Sequence, residues 1–431
     1  MEPIAAKIID IIDAHRTDII AFAKDIAQHP ESGFFETRTA EKISAALQSC
    51  GLAPQTKLAR TGVKAVLGSA QPRVAVIAEL DGVCCPQHLE ADPDTGVAHA
   101  CGHNLQLGAL YGAALALTVP EIAQALCGSV AFMAVPAEEY VRADIQATLR
   151  ETDGIAFCCG KSELIRIGAF EDIDLALTTH VHMIDCAADV LLGNNACNGF
   201  VIKTVILHGK AAHAAAAPDK GVNALNAAAL VLSSIGMLRE TFREDDTVRI
   251  HTNILKGGTA LNVVPDTVEI EAQIRAANLN ALRDAAEKFD RACTHCAAAL
   301  GAKAEIKTHQ GYMPVRPMAA EAAGILAAAD LNVTAQNVNV CAHNMASTDV
   351  GDLTQILPVI NFTHSGVAGG LHSADFCVTD EEKAYVLPAK MFALTVYHLL
   401  KNHAEIANNN RKSFVPAMTR QEYITRIEAE K

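Results

Sequence analysis

Three short apolar runs, each followed by residues that bind metals or move protons, constrain the fold of this chain most. They cover residues 74–78, 129–135 and 175–179. Continuous apolar runs of this length are typical of strands that are covered on both faces. Because open α/β sheets place their sites at the carboxyl ends of such strands, the residues that follow the runs are candidate site residues. We therefore expect an α/β domain with a site at one edge of its sheet.

The run His99-Ala100-Cys101-Gly102-His103 is the clearest metal-binding pattern. A thiolate and an imidazole two positions apart can bind one metal ion from a short extended or turning segment. The pair Glu138-Glu139 follows the second apolar run, so that one carboxylate can bind metal while the other moves protons. The alternative is a buried cysteine flanked by ordinary histidines.

The sequence pattern changes between residues 196 and 316. There the order strand, helix, two strands, helix, strand, with one-sided alternation in the strands, predicts an α+β sandwich. A chain of 431 residues is also too long for one simple core. We predict a discontinuous catalytic domain, 1–195 and 317–431, with 196–316 inserted as a second domain. Residues 4–50 are predicted to form two helices with a break around 29–33.

Charge and cysteine usage limit the partners and the compartment. The net charge is −14 and no basic run is longer than a pair, which argues against nucleic acid or an anionic membrane as the partner. Thirteen cysteines, an odd number, with no secretory signal, indicate reduced thiols in a cytoplasm. The most apolar stretch, 105–119, is too short for a membrane span and is predicted to be a buried helix. A redox protein is disfavoured, because a GxGxxG motif is absent.

A set of motifs in fixed order carries a family resemblance. They are HPESGFFETRTAEKI, AELDGV, HACGHN, PAEE, DLALTTHVH, GKAAHAA, GGTALNVVP, ASTDVGD and GLHSAD. Over nearly the whole chain they resemble the aminoacylase-type metallo-amidohydrolases, which include aminobenzoyl-glutamate hydrolase, indole-acetyl-amino-acid hydrolases and succinyl-diaminopimelate desuccinylase. HACGHN is specific to the Cys-containing branch, and ASTDVGD points to its aminobenzoyl-glutamate hydrolase side.

The resemblance implies a catalytic domain with a mixed, largely parallel sheet and two divalent metal ions, and an inserted α+β sandwich that acts as dimerisation and lid domain. The implied metal ligands are Cys101, His103, Glu139, His180 and His372, with Cys101 as the bridge. Their sulfur, nitrogen and oxygen donors suit Zn and Mn alike. His182 and His364 compete for the two late ligand positions.

The resemblance also implies roles around the metals. Glu138 would be the general base, taking a proton from the attacking water and passing it to the departing amine. Asp81 would hold a ligand or the water by hydrogen bonds. Glu79 stands where this branch usually has Asp, so its role stays open.

Three residues of the inserted domain complete the implied site. His213 would reach the active site of the partner subunit and stabilise the tetrahedral oxyanion. Asn262 and Arg275 would hold a carboxylate of the substrate. A site that is completed by a partner implies a homodimer or a higher oligomer. Taken alone, Arg275 is equally compatible with a surface strand charge and Asn262 with a turn former.

Residues 140–160 depart from the family pattern, which has a shorter connection here. The segment begins beside Glu139, so it is predicted either to line the substrate pocket or to be a surface helix and loop.

The expected function is hydrolysis of the amide bond of a small N-acyl or N-aroyl amino acid. Alternatives are hydrolysis of a non-peptide C–N bond on an aromatic amine or related molecule, a dipeptidase, and a non-catalytic protein that binds metal or a small molecule.

Overall fold

The computed structural model describes residues 1–183 and 187–429, which cluster into two compact units. The first unit contains 1–195, 316–342 and 352–420. The second contains 196–315, 343–351 and the chain from 421 onward. The sequence pattern placed the last two of these segments in the first domain. The segment at 343–351 clusters with the second unit because His343–Asn344 pairs as a short parallel strand with Ala196–Cys197.

The helices are numbered in chain order. They are α1 (Pro3–Ala14), α2 (Arg16–Ala27), α3 (Thr37–Ser49), α4 (His103–Leu117), α5 (Pro120–Gln124), α6 (Ala143–Asp153), α7 (Gly160–Arg166), α8 (Ala224–Met237), α9 (Leu279–Ala299), α10 (Ala322–Leu331), α11 (Val350–Ile356), α12 (Leu387–Leu400), α13 (Glu405–Ser413) and α14 (Arg420–Ala429).

The strands of three or more residues are numbered in the same way. They are β1 (Gln55–Leu58), β2 (Gly62–Leu67), β3 (Arg73–Glu79), β4 (Ser129–Val135), β5 (Leu175–Val181), β6 (Val190–Leu192), β7 (Gly199–His208), β8 (Arg249–Lys256), β9 (Thr267–Ala276), β10 (Lys303–His309), β11 (Ala335–Asn337) and β12 (Val359–His364).

The first unit is built on an eight-stranded mixed sheet in the order β1-β2-β4-β3-β5-β12-β6-β11. Its centre, β4-β3-β5-β12, is parallel, and every residue of β4 is buried. The core of this unit includes residues of α1, α2, α4 and α12 as well as the sheet strands. Helix α4 is buried over almost its whole length, which confirms the buried helix predicted from its apolar sequence.

The amino-terminal region differs from the sequence prediction. Three helices occupy it, because a further break falls at His15, whose backbone leaves the helical region at φ −101° and ψ 11°. Apolar spacing continues through this break, since Ile8, Ile12 and Ile19 all reach the core. A periodic pattern therefore could not reveal the break.

The second unit is an α+β sandwich. Its four strands are antiparallel in the order β8-β9-β7-β10, and α8 and α9 share one core with them. Strand β9 alternates between buried and partly exposed residues, as expected for a sheet with helices on one face. The predicted fold class is confirmed. No helix within the described residues combines the length and the apolarity needed to cross a bilayer.

Candidate active site

The candidate site is built at one edge of the first unit's sheet. Strands β4, β3 and β5 are adjacent and parallel, so their carboxyl ends meet at that edge. Glu79 ends β3, Glu138 and Glu139 follow β4, and His180 is the last residue but one of β5. The sequence predicted this convergence from the apolar runs alone.

The structure brings the five candidate ligands together in two groups that share Cys101. One group is Cys101, His103 and His180, and the other is Cys101, Glu139 and His372. Within each group, the potential donor atoms all lie within 4.8 Å of one another. A shared thiolate between two sets of donors is the arrangement that a bridged pair of metal ions requires.

Hydrogen bonds orient the imidazole rings toward this centre. His103 Nδ1 lies 2.8 Å from the backbone oxygen of Asp81, and His180 Nδ1 lies 3.0 Å from the backbone oxygen of Val181. Each Nδ1 therefore carries the proton and donates it, which leaves Nε2 with a lone pair for a metal. His180 Nε2 is 3.3 Å from the Cys101 sulfur.

The chemistry of the donor atoms fits divalent metal ions. Among the described residues, His103 Nε2 and Glu139 Oε1 are buried and lack a well-formed hydrogen bond. Glu139 Oε1 lies 2.9 Å from His372 Nε2, another candidate ligand, so that a cation placed among these atoms would satisfy them together. Burial raises the pKa of the Cys101 thiol well above its usual range. A thiolate at this position therefore needs an adjacent positive charge, which a divalent metal supplies.

Backbone conformation at the site is strained at defined positions. Gly102, between the two ligands of the HACGH run, has φ +83°, which glycine adopts at little cost. His372 and Ala137 have φ +57° and +45°, although both carry a Cβ. Such residues cluster at functional sites, where the surroundings hold them in place.

Glu138 and Asp81 occupy positions suited to their predicted roles. Glu138 lies outside the two groups that share Cys101, and its Oε2 is 3.9 Å from His103 Nε2. Asp81 Oδ2 accepts a hydrogen bond of 2.9 Å from the backbone N–H of Glu139. Asp81 thus orients His103 through its carbonyl and Glu139 through its carboxylate.

A buried ion pair behind the ligands was missed by the sequence reasoning. Lys161 Nζ lies 2.6 Å from Glu79 Oε1, and Gln106 donates a hydrogen bond of 2.8 Å to Glu79 Oε2. Although burial opposes ionisation, Lys161 holds the pKa of Glu79 at about 2, so Glu79 is an anion. Its Oε2 is 3.1 Å from His103 Nε2. The available signal was a lysine inside a stretch whose neighbours, 157–165, are mostly apolar.

The two histidines that compete in sequence for the late ligand positions lie outside the candidate metal centre. His182 and His364 belong to none of the donor groups found among the described residues. Their chain segments are joined because the His182 N–H donates to the His364 backbone oxygen over 3.0 Å. Burial lowers the pKa of His364 to about 4, so this ring is neutral near pH 7.

The segment 140–160 is a helix and a loop anchored in the first unit. It contains α6 and ends where the N–H of Gly160 donates to the carbonyl of Ala137 over 2.9 Å. Leu149 and Phe157 are buried, whereas Arg142 and Arg150 are exposed. A direct role in a substrate pocket stays a prediction.

In the second unit, His213 and Asn262 are adjacent. The Ala214 N–H donates to the Asn262 carbonyl over 3.0 Å. His213 Nδ1 accepts from the N–H groups of Ala215 and Ala216 at 3.2 and 3.1 Å. The neutral ring therefore carries its proton on Nε2, which makes that atom a donor for an oxyanion.

Arg275 lies on β9 in the same unit and is surrounded by neutral acceptors. Its guanidinium donates to Gln273 Oε1 at 3.0 Å and to Ser347 Oγ at 3.3 Å, and it lies over the Phe200 ring. Within the part of the chain that the structure describes, no carboxylate pairs with it. A half-buried cation of this kind can take a substrate carboxylate.

Comparisons with known proteins agree with this geometry. Residues 197–299 match the family model of the peptidase dimerisation domain. The N-acyl-L-amino acid amidohydrolase of Geobacillus stearothermophilus is 26% identical over 317 residues, 71% of this chain and 79% of that protein. The human Xaa-Arg dipeptidase is 27% identical over 355 residues, 80% of this chain and 76% of that protein.

A solved structure shows the same fold. The Bacillus subtilis YXEP protein, described as a dinuclear metal binding peptidase of the M20 family, superposes with a TM-score of 0.67 at 22% identity. The match covers 90% of this chain and 99% of that one. The chain is thus a metallohydrolase built from a catalytic and an inserted dimerisation domain. The sequence and the fold are similar to those of M20 metallo-amidohydrolases and metallopeptidases, which confirms the predicted resemblance.

Proposed function

We propose that this protein hydrolyses the amide bond of a small N-acyl or N-aroyl amino acid with a free carboxylate. The observation that carries the proposal is the pair of donor groups that share Cys101, with Glu138 beside them but outside both. The similarity to an N-acyl-L-amino acid amidohydrolase supports the choice of substrate class. We further infer that the metals are Zn or Mn, held by Cys101, His103, Glu139, His180 and His372.

Each part of the site then has a chemical task. Divalent ions at this position would lower the pKa of water toward neutrality. Glu138 accepts a proton from the attacking water and delivers it to the departing amine. His213 donates a hydrogen bond from its Nε2–H to the oxyanion that forms on the oxygen of the scissile carbonyl group. Arg275 and Asn262 hold the substrate carboxylate, which places the amide bond before Glu138.

The match to a dimerisation domain supports a homodimer in which His213 of one protomer completes the site of the other. The cysteine usage supports a reducing cytoplasm.

The test combines metal content with a substrate panel. The purified protein, after chelation and return of Zn or Mn, is assayed with N-acyl amino acids, N-aroyl amino acids, non-peptide C–N compounds and dipeptides. About two metals per chain and restored cleavage of the first or second class would support the proposal. The absence of bound metal and of cleavage would refute it and favour a non-catalytic binding protein.

Glu138→Gln tests the mechanism. The variant should retain its metals, because both groups that share Cys101 keep all their donors and the amide oxygen of Gln still offers a ligand to the donor group that Glu138 forms with Glu79 and His103. The value of kcat should fall by a factor of about 10² or more. Glu151→Gln, an exposed position in α6, is the matched control and should leave kcat unchanged. Wild-type turnover in Glu138→Gln would contradict the assignment of the general base.

Dipeptidase activity is the second candidate, because a dipeptidase is among the relatives with long coverage. If the protein cleaved dipeptides and did not cleave N-acyl amino acids, the dipeptidase function would be preferred.

A further inference from the structure

The loop that carries the general base is fixed from two sides by buried carboxylates. The Ala137 N–H donates to Glu36 Oε1 over 2.8 Å, and the Glu139 N–H donates to Asp81 Oδ2 over 2.9 Å. Glu138 lies between these two peptide groups. Asp81 lies beside the metal ligands, whereas Glu36 comes from the turn before α3 and was not singled out by the sequence reasoning.

The loop needs such a support because of its backbone. Ala137 has φ +45°, a left-handed conformation that an L-residue with a Cβ adopts at a cost. The buried N–H of this residue needs an acceptor, and Glu36 Oε1 supplies one at 2.8 Å. The acceptor therefore favours the one loop conformation that directs Glu138 toward the candidate ligands.

The position of Glu36 is itself costly, which argues for a specific role. Its side chain is 0% exposed, and within the described residues no lysine, arginine or histidine forms an ion pair with it. Burial and the charge of Asp81 raise the pKa of Glu36 to about 8. The carboxyl group also accepts a hydrogen bond of 2.6 Å at Oε2 from the Thr61 hydroxyl.

We infer that Glu36 is a positioning residue that sets the orientation of Glu138 through the Ala137 peptide group. This inference rests on the proposed function, because it assigns Glu36 a part in the same reaction. Among the described residues, Glu36 forms no hydrogen bond with the candidate metal ligands, and we assign it an effect through the backbone of the loop. The requirement is for an acceptor atom at Oε1, and a negative charge is not needed.

That requirement separates two variants. Glu36→Gln keeps the volume and an acceptor for the Ala137 N–H, and its amide can donate to the Thr61 hydroxyl. Glu36→Ala removes the acceptor. Glu41→Ala, which replaces an exposed glutamate of α3, is the control.

The kinetic readout uses the metal-loaded enzyme. Glu36→Ala should lower kcat by about 10- to 100-fold, as expected when a buried N–H is left without an acceptor and the cost falls on the transition state. KM should change by less than about twofold, and the metal content should stay at the wild-type value. Glu36→Gln should retain kcat within about threefold.

The second readout does not depend on activity. Amide hydrogen exchange of the peptide around 135–140 should accelerate at Ala137 in Glu36→Ala and stay protected in Glu36→Gln. If the wild-type protein cleaved none of the proposed substrates, the proposed function would be refuted. The hydrogen-exchange result would still show whether Glu36 holds the loop in place.

Three results would overturn the inference. The first is wild-type kcat and exchange in Glu36→Ala. The second is a fall in kcat that follows a loss of metal, which would show a merely structural role. The third is a Glu36→Gln variant as impaired as Glu36→Ala, which would show that the acceptor atom is not what matters.

Discussion

Breaking the buried ion pair behind the metal ligands should destabilise the first unit strongly. Lys161 and Glu79 have side chains that are 0% and 3% exposed, and the charged atoms are 2.6 Å apart. At an effective dielectric constant of about 20, this attraction is roughly 6 kcal/mol before the cost of desolvation. Lys161→Met leaves Glu79 buried with Gln106 as its remaining donor, so we expect a loss of about 3–5 kcal/mol.

The assay must report on the first unit alone, because the chain has two. Hydrogen exchange of peptides from 73–79, followed by mass spectrometry at rising urea concentrations, gives the free energy of unfolding of that unit. Lys7→Met, which breaks the exposed pair with Glu121, is the control and should cost less than about 1 kcal/mol.

A double-mutant cycle tests the reasoning. Because Glu79→Gln removes the buried charge, the double variant with Lys161→Met should be more stable than Lys161→Met alone. Additive losses, or a loss below about 1 kcal/mol in Lys161→Met, would refute the claim that the pair is energetically coupled.

Other perturbations test separate parts of the structure. Gly160→Ala places a Cβ 1.6 Å from the backbone oxygen of Pro136, in the loop that carries Glu138, and should lower kcat more than tenfold. Gly236→Ala is the control, because the space around Gly236 is open, and it should reduce neither kcat nor stability. The pKa of His364 is about 4 in the folded protein and about 6.5 in the unfolded chain. Between these two pKa values only the unfolded chain binds the proton, so the free energy of unfolding should fall as the pH decreases from 6.5 to 4. The fall should be smaller in His364→Gln. Urea unfolding at a series of pH values measures it, and an equal slope of unfolding free energy against pH in the two proteins would contradict this prediction. Cys101→Ala should reduce the metal content below one half of the wild-type value in elemental analysis, because both donor groups lose a ligand, while Cys197→Ala should keep it.

Much of the fold could be predicted because its strands follow simple patterns. The run 129–135 is a strand with those bounds, and the other runs differ from their strands by a few residues. The one-sided alternation between residues 196 and 316 likewise predicted the strands of the second unit, among them β9. Patterns of apolar residues report burial, so they do not report a break such as the one at His15, where both sides of the break remain buried.

The site could be predicted only where residue chemistry is distinctive in sequence. Cys101, His103 and the pair after β4 stand out because thiolate, imidazole and adjacent carboxylates are rare together. Lys161 and Glu36 did not stand out, since each acts through a partner that lies far away along the chain. Glu79 and Lys161 are separated by 82 positions, and Glu36 and Ala137 by 101. Such pairs exist only after folding.

The second unit is assembled from three separate stretches of chain, and this affects how it can be made. A protein emerging from the ribosome presents 196–315 first, but the short strand at Ala196–Cys197 must wait for His343–Asn344 to be synthesised. Residues 426 and 427, which line a cavity beside α9, come later still. Expression of 196–315 as an isolated fragment would therefore yield a unit without one of its strands and without one wall of its cavity. The second unit is therefore completed only once these later stretches have been synthesised, and not when 196–315 first becomes available.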